Sequence, residues 1–176
     1  MEDNRQRFET IVDLVYEPLQ RFARRRAPSD VADDVVADTL LVIWRRLDEV
    51  PTDAPLPWTY RVAANCLANL RRGERRRARL IDKVGRWERR RDDGVEEPPD
   101  PGLHQALLTL APSDQEVLRL WAWEDLTPAE IATVLDTSAN AVSIRLHRAK
   151  RRLGVALGKV PAAAGHIGHD NSEEVT

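Results

Sequence analysis

Apolar residues recur along this chain at helical spacing, in runs bounded by prolines and capping residues. Phe8, Ile11, Val12, Val15, Leu19 and Phe22 mark the buried stripe of a first helix. Pro28, Ser29 and Asp30 are expected to end it and to cap a second. That second helix is predicted over about residues 31–47, with Val35, Val36, Thr39, Leu40, Val42, Ile43 and Leu47 inward. Pro51, Pro55 and Pro57 mark a loop, after which Val62, Cys66, Leu67 and Leu70 give the core face of a third helix. From about Glu74 the periodicity fades. It returns over residues 103–110 and 112–123, with Leu107, Leu110, Val117, Leu118 and Leu120 as core.

The segment TPAEIATVLDTSANAVSIRLHRAKRRL, residues 127–153, reads as two short helices joined by a tight turn. Thr127, Pro128 and Glu130 form a capping box with proline in the first turn. Ile131, Val134 and Leu135 make one apolar face, and Asp136 falls where the chain must turn, a residue type that tolerates the left-handed conformation. Ser138 caps the next helix. There Val142, Leu146, Ala149 and Leu153 share the buried stripe, and Asn140, Ser143, Ile144, His147 and Arg151 face the other way, flanked by Arg145, Arg148, Lys150 and Arg152. Five cations and no acid between Ala139 and Leu153 set this helix apart from an ordinary solvated one. A capped helix, a turn and a basic second helix are the parts of a helix-turn-helix DNA reader.

Charge sharpens the picture because it is segregated. The net charge is −2, yet residues 71–91 carry 11 cations and 3 acids, and residues 28–53 carry 2 cations and 7 acids. Such a chain presents a basic surface to a polyanion and an acidic one to a basic protein. Asp30, Asp33, Asp34 and Asp38 crowd the second helix; matching to the helix dipole accounts for the first three but hardly for Asp38. On the third helix Arg61, Asn65, Asn69 and Arg72 line one face, a set of amides and arginines suited to nucleic acid. Trp58 and Tyr60, at the head of that helix, read as core rather than as stacking platforms. The stretch DDGVEEPPDPG has linker composition, with Trp87 upstream as an outlier.

The expected fold is therefore all-α: two small helical domains joined by a charged flexible linker, the C-terminal one a helix-turn-helix, with a frayed tail from residue 158. There is no phosphate loop, no nucleophile elbow and no carboxylate pair in an apolar setting, so no enzyme activity and no cofactor are expected. Cys66 alone excludes an intrachain disulfide and reads as a small core residue. His166 and His169, without further ligands, do not make a metal site. No apolar run approaches the roughly 20 residues of a bilayer span, and MEDNRQRFET has no signal-peptide pattern, so no membrane insertion and a cytoplasmic location are expected.

In this order the parts resemble the extracytoplasmic-function (ECF) sigma factors, which direct bacterial RNA polymerase to promoters. VADDVVADTLLVIWRRL is similar to the family's core-binding helix, PWTYRVAANCLANLRR to its −10 segment, and ANAVSIRLHRAKRRL to its −35 recognition helix. The resemblance implies region 2 over 2–79, a linker over 80–102 and region 4 over 103–157. It implies core polymerase contacts at Asp33, Asp34 and Asp38 with Trp44 and Arg45, and capture of a flipped −10 base by Asn65, Asn69, Arg72, Arg75 and Arg76, with Arg61 on the same face. It places −35 contacts at Ser143, Ile144, His147 and Arg148, within a face that also holds Asn140, Arg145 and Arg151. The implied partners are core RNA polymerase and promoter DNA; many family members are also held inactive by an anti-sigma factor. Ala37-Asp38 departs from a frequent Gln-Glu, and Ser143-Ile144 from a frequent basic residue followed by Ser. The competing reading is a stand-alone helix-turn-helix regulator with an N-terminal oligomerisation domain, which has no need of both an acidic helix and a base-capture segment.

Overall fold

The computed structural model describes residues 2–82 and 100–159, and among these every regular element is helical. The first half holds α1 (Glu2–Arg24), α2 (Ser29–Arg45) and α3 (Pro55–Asp82), with a short 3-10 turn at Leu47–Glu49. The second holds α4 (Pro101–Leu108), α5 (Pro112–Ala122), α6 (Pro128–Leu135) and α7 (Ala139–Ala156). Residues 83–99, with Trp87, and the tail from 160, with His166 and His169, lie outside the described residues.

The apolar stripes read from the sequence are the surfaces that pack. Val15, Leu19 and Phe22 of α1, Val35, Val36 and Ile43 of α2, and Val62 and Leu67 of α3 are buried, as are Val117, Leu118, Leu120, Ile131, Val134, Val142 and Leu146 in the second half. Removal of each such side chain from water contributes about 1.5–3 kcal/mol. Tyr60 is core too, its ring stacked on Phe22 at 4.7 Å. Trp58 is half-buried against a second cluster built on Ile11, Val15, Ile43, Leu47 and Val50.

Three expectations need correction. The chain caps α2 with Pro28, and neither Ser29 nor Asp30 bonds the helix end through its side chain; both lie inside the first turn. The third helix, expected to take in the basic run to about Arg77, continues to Asp82 although its apolar periodicity fades from about Glu74, because arginine and alanine are good helix formers and need no apolar stripe to extend a helix already nucleated. The two halves are also less separate than expected. One hydrophobic cluster runs from Leu19, Phe22, Tyr60 and Leu67 through Leu107, Leu110, Leu126 and Ile131, and α3 packs directly against α6.

Candidate nucleic-acid and partner interfaces

The helix-turn-helix is built by local chemistry at three successive points. Thr127 accepts from the Glu130 backbone N–H while the Glu130 carboxylate accepts from the Thr127 N–H at 2.8 Å, closing the capping box. Asp136 then adopts φ 53°, ψ 53°, the left-handed conformation that ends α6. The Ser138 hydroxyl accepts from the Ala141 N–H at 3.2 Å and starts α7. A second left-handed residue, Asp125 at φ 54°, was not foreseen; it helps turn the chain between α5 and α6.

This framework fixes which face of α7 is bare. Val142, Leu146 and Ala149 are buried, with Leu153 half-buried, whereas Asn140, Ser143, Ile144, Arg145, His147, Arg148 and Arg151 are all exposed. Ile144 keeps 45% of its surface in water although it is a large apolar residue. Ser143 donates to the Ala139 carbonyl at 2.9 Å, which turns its hydroxyl back along the helix. The flanking cations divide in two. Lys150 sits 3.4 Å over the Trp121 ring and Arg152 pairs with buried Asp114, so α5 holds both. Arg145, Arg148 and Arg151 have no carboxylate partner among the described residues.

On α3 the candidate residues separate. Asn69, Arg72, Arg75 and Arg76 line one concave site of about 390 Å³. Within it the Asn69 carbonyl oxygen accepts from Arg72 at 2.8 Å, and Arg75 leans back to donate to the Arg71 carbonyl at 3.2 Å. The arginines form a polar cup in which charge is concentrated and one amide is held in place. Asn65 is exposed one turn earlier. Arg61 points elsewhere: its guanidinium pairs at 2.9 Å with Asp136 at the turn of the helix-turn-helix.

A third surface lies on α2. Asp34, Asp38, Leu41 and Arg45 follow one another at i, i+4, i+7 and i+11, with Asp33 and Trp44 on the adjoining stripe. All six are exposed, Leu41 at 45% and Trp44 at 48%. Trp44 is held by an edge contact with Phe8 at 5.2 Å. Exposed apolar side chains rimmed by acids make this face a candidate for protein docking. Cys66 lies under this region beside Thr39 and Asp38; burial pushes its thiol up, against the hydrogen bond from Thr39, which suits the inert core role expected of it.

Sequence comparison decides what these surfaces belong to. The chain matches the family described as Sigma-70 region 2 over residues 11–77 and the one described as Sigma-70, region 4 over residues 102–153. It is 34% identical over 154 residues to the RNA polymerase sigma-E factor of Streptomyces avermitilis, covering 83% of this chain and 82% of that protein. It is 30% identical over 142 residues to RNA polymerase sigma factor NccH of Alcaligenes xylosoxydans xylosoxydans, covering 74% and 75%. The chain belongs to the ECF sigma factors.

Solved structures carry the same fold. A sigma factor, CnrH, in complex with the cytosolic domain of CnrY matches with TM-score 0.59 and 27% identity over 86% of this chain and 87% of that one. The sigma factor RpoE of Bartonella quintana, in complex with the anti-sigma factor NepR, matches with TM-score 0.65 over 86% and 96%, at 23% identity. As a sigma factor the chain binds core RNA polymerase and promoter DNA in transcription initiation, and it is not an enzyme. The region 2 match removes the stand-alone regulator, since the N-terminal half is a sigma module rather than an oligomerisation domain. No described helix is long and apolar enough to cross a membrane.

A cluster linking the two halves had no signal in the sequence. Arg26 donates to Glu116 at 2.9 and 3.1 Å and to Glu124 at 2.8 Å, and Arg25 donates to Glu124 at 3.0 Å. Between 90 and 99 residues separate the partners. No periodicity or spacing rule pairs side chains over that distance.

Proposed function

We propose that the three surfaces divide the work of initiation among them. The α2 face of Asp33, Asp34, Asp38, Trp44 and Arg45 docks on core polymerase. The α3 cup of Asn69, Arg72, Arg75 and Arg76, with Asn65 and Arg61 upstream, receives the unpaired −10 strand. The α7 face of Asn140, Ser143, Ile144, Arg145, His147, Arg148 and Arg151 reads the −35 duplex. Region 2 spans 2–79 and region 4 spans 103–157 in this reading, joined by 80–102.

The observation that carries it is the sorting of cations on α7. Those nearest α5 are engaged, Lys150 by the Trp121 ring and Arg152 by the Asp114 carboxylate, and those on the far side are left bare. A basic stripe opposite the buried one is what a major-groove helix requires. Ile144 has no hydrogen bond to offer a base edge and suits contact with a thymine methyl.

The protein acts in the cytoplasm, where polymerase and promoters are. An anti-sigma factor is a further partner on this reading, supported by the relatives solved with CnrY and NepR. Transcription in vitro with a randomised promoter library tests the division. Substitutions on α7 are expected to change only the selected −35 sequence and substitutions in the α3 cup only the −10 sequence. A −10 shift from an α7 variant overturns the assignment.

A further inference from the structure

Hydrogen-bond donors fill the α3 cup, and its one side-chain acceptor is already engaged. Asn69, Arg72, Arg75 and Arg76 line the cup, and a guanidinium carries five N–H donors and no acceptor. The side-chain acceptor in this lining is therefore the Asn69 oxygen. Arg72 can only donate, so the 2.8 Å bond between them turns that oxygen to Arg72 and the amide NH2 away from it. Arg72 is held a second time, by Nε on the Ala68 carbonyl at 3.3 Å, and Arg75 is held by Nε on the Arg71 carbonyl at 3.2 Å. Both guanidiniums are thus anchored on α3 and keep further N–H groups for a ligand. Acids are kept to one side. Asp34, Asp38 and Glu74 line a neighbouring cleft with Cys66 and Leu70, and Asn69 is the described residue common to both.

An unpaired base offers every edge to such a site, and the four bases differ in how their acceptors are arranged. Guanine has two adjacent acceptors, N7 and O6, and cytosine has N3 and O2. In adenine N1 and N7 each stand beside the N6 amino donor, and in thymine O2 and O4 flank the N3–H. A guanidinium fork makes two parallel bonds to adjacent acceptors, as it does with guanine. Set against adenine or thymine, the same fork makes one bond and leaves its second donor without an acceptor.

We propose that the cup selects a base with two adjacent acceptors, guanine or cytosine, at the captured −10 position, and that Asn69 sets this choice by holding Arg72 and turning its NH2 to the ligand. The choice rests on the assignment of the cup to the unpaired −10 strand. Asn69 then determines which base is taken, beyond adding one contact to it. Discrimination against adenine and thymine is about five- to a hundredfold, the range for one bidentate arginine contact.

The test presents holoenzyme with promoters whose −10 segment is unpaired from the start and randomised on the non-template strand, and sequences the templates that bind. The parent is expected to select guanine or cytosine at one position, and Asn69→Asp to weaken that selection there alone. Aspartate keeps an oxygen for Arg72 and puts a second where the NH2 stood. Adenine, with N6 to donate, should then gain about tenfold over its standing with the parent. Arg72→Lys keeps the charge, loses the fork and should flatten the preference. Asn69 and Arg72 are exposed, so neither change disturbs the core. Replacing the selected base by 7-deazaguanine or 3-deazacytosine removes one acceptor at constant shape; it should lower the parent's affinity about tenfold and identifies which of the two bases is held. Selection of adenine or thymine at the position that Asn69→Asp alters overturns the base choice and leaves the cup assignment standing. Uniform weakening of all templates by both variants, with base selection unchanged, would mean that the arginines hold backbone phosphate. That result overturns both the base choice and the cup assignment, as does the absence of any effect.

Discussion

The basic faces of α3 and α7 are made of the same residue types and differ in how the protein treats them before DNA arrives. On α7 the backbone is fixed by a capping box, a left-handed aspartate and a serine cap, and Arg145, Arg148 and Arg151 are left without carboxylate partners among the described residues. On α3 the amide of Asn69 is already bonded to Arg72, Arg75 leans on its own helix, and Arg61 is committed to Asp136. On the assignment proposed above, the difference means that one face is ready for a duplex that exists beforehand, and the other is a cup whose ligand appears only after strands separate. Rigid placement suits base edges in a groove. A concave site with cations around one held amide suits an extruded base, whose unstacking costs a few kcal/mol and must be recovered by new contacts.

The largest effect is expected where the ready face meets the duplex. Arg148→Ala, and separately His147→Ala, should reduce promoter affinity by roughly five- to a hundredfold, the worth of about 1–3 kcal/mol for one base-edge contact. Compensating base changes should fall only in the −35 element. Electrophoretic titration of holoenzyme on matched promoter sets measures this; compensation in the −10 element erases the contrast between the two helices.

The next effect concerns the core beneath α3 and is set by pH. Burial first, then the Glu124 carboxylate from the other half, push the Tyr60 phenol up to about 12. The folded state therefore favours the neutral phenol. Its contribution is complete below pH ~10 and is lost as pH rises towards 12, at most about 3 kcal/mol. Urea titrations at pH 9 and pH 11.5 should show that loss in the parent chain, and Tyr60→Phe should reduce it. An equal alkaline loss in both chains places its origin elsewhere.

The docking face of α2 should respond more modestly. Asp34→Lys with Asp38→Lys is expected to weaken core binding about tenfold, or about 1.4 kcal/mol, with helical content nearly unchanged because both side chains are exposed. Circular dichroism and a core-binding titration read the two halves of that statement. Loss of helix with normal core affinity in the folded remainder makes these residues structural, beside the helix start, and leaves α7 and α3 without a third working face.

Local chemistry was legible in the sequence and distant pairing was not. The cap at Thr127, the turn at Asp136, the cap at Ser138 and the buried stripe of α7 depend on neighbours within a few positions, and each appears as read. The start of α2 misled because Ser29 and Asp30 are good caps, yet Pro28 already holds the extended conformation before the helix. The length of α3 misled because an arginine-rich run lacks an apolar stripe while remaining a good helix former. Of the α3 candidates, Asn69, Arg72, Arg75 and Arg76 share a site that helical spacing places within about two turns. Arg61 left that group for Asp136, and Arg26 found Glu116 and Glu124, because packing of one half on the other chose their partners.

The smallest expected effect is the most diagnostic of the contrast. Asn69→Ala removes one amide from the cup and frees the Arg72 donor that it holds. A single hydrogen bond contributes about 0.5–1.5 kcal/mol, so the change is worth roughly two- to tenfold wherever it is felt. If the cup acts on an unpaired base, intact duplex has nothing to place there. Closed-complex affinity should then be unchanged, and the rate and extent of strand opening should fall. A promoter whose −10 bases are mismatched from the start has already met the unpairing cost, and it should recover part of the defect. Potassium permanganate reactivity of −10 thymines, followed in time on intact and pre-melted templates, separates the two steps. The same protocol applied to Arg148→Ala should give the reverse order, with closed-complex formation impaired on both templates and opening, once bound, proceeding at the parent rate. Equal weakening of both steps by Asn69→Ala would mean that α3 reads duplex as α7 does, and the proposed difference between a face prepared for paired DNA and a cup awaiting a single base would fall.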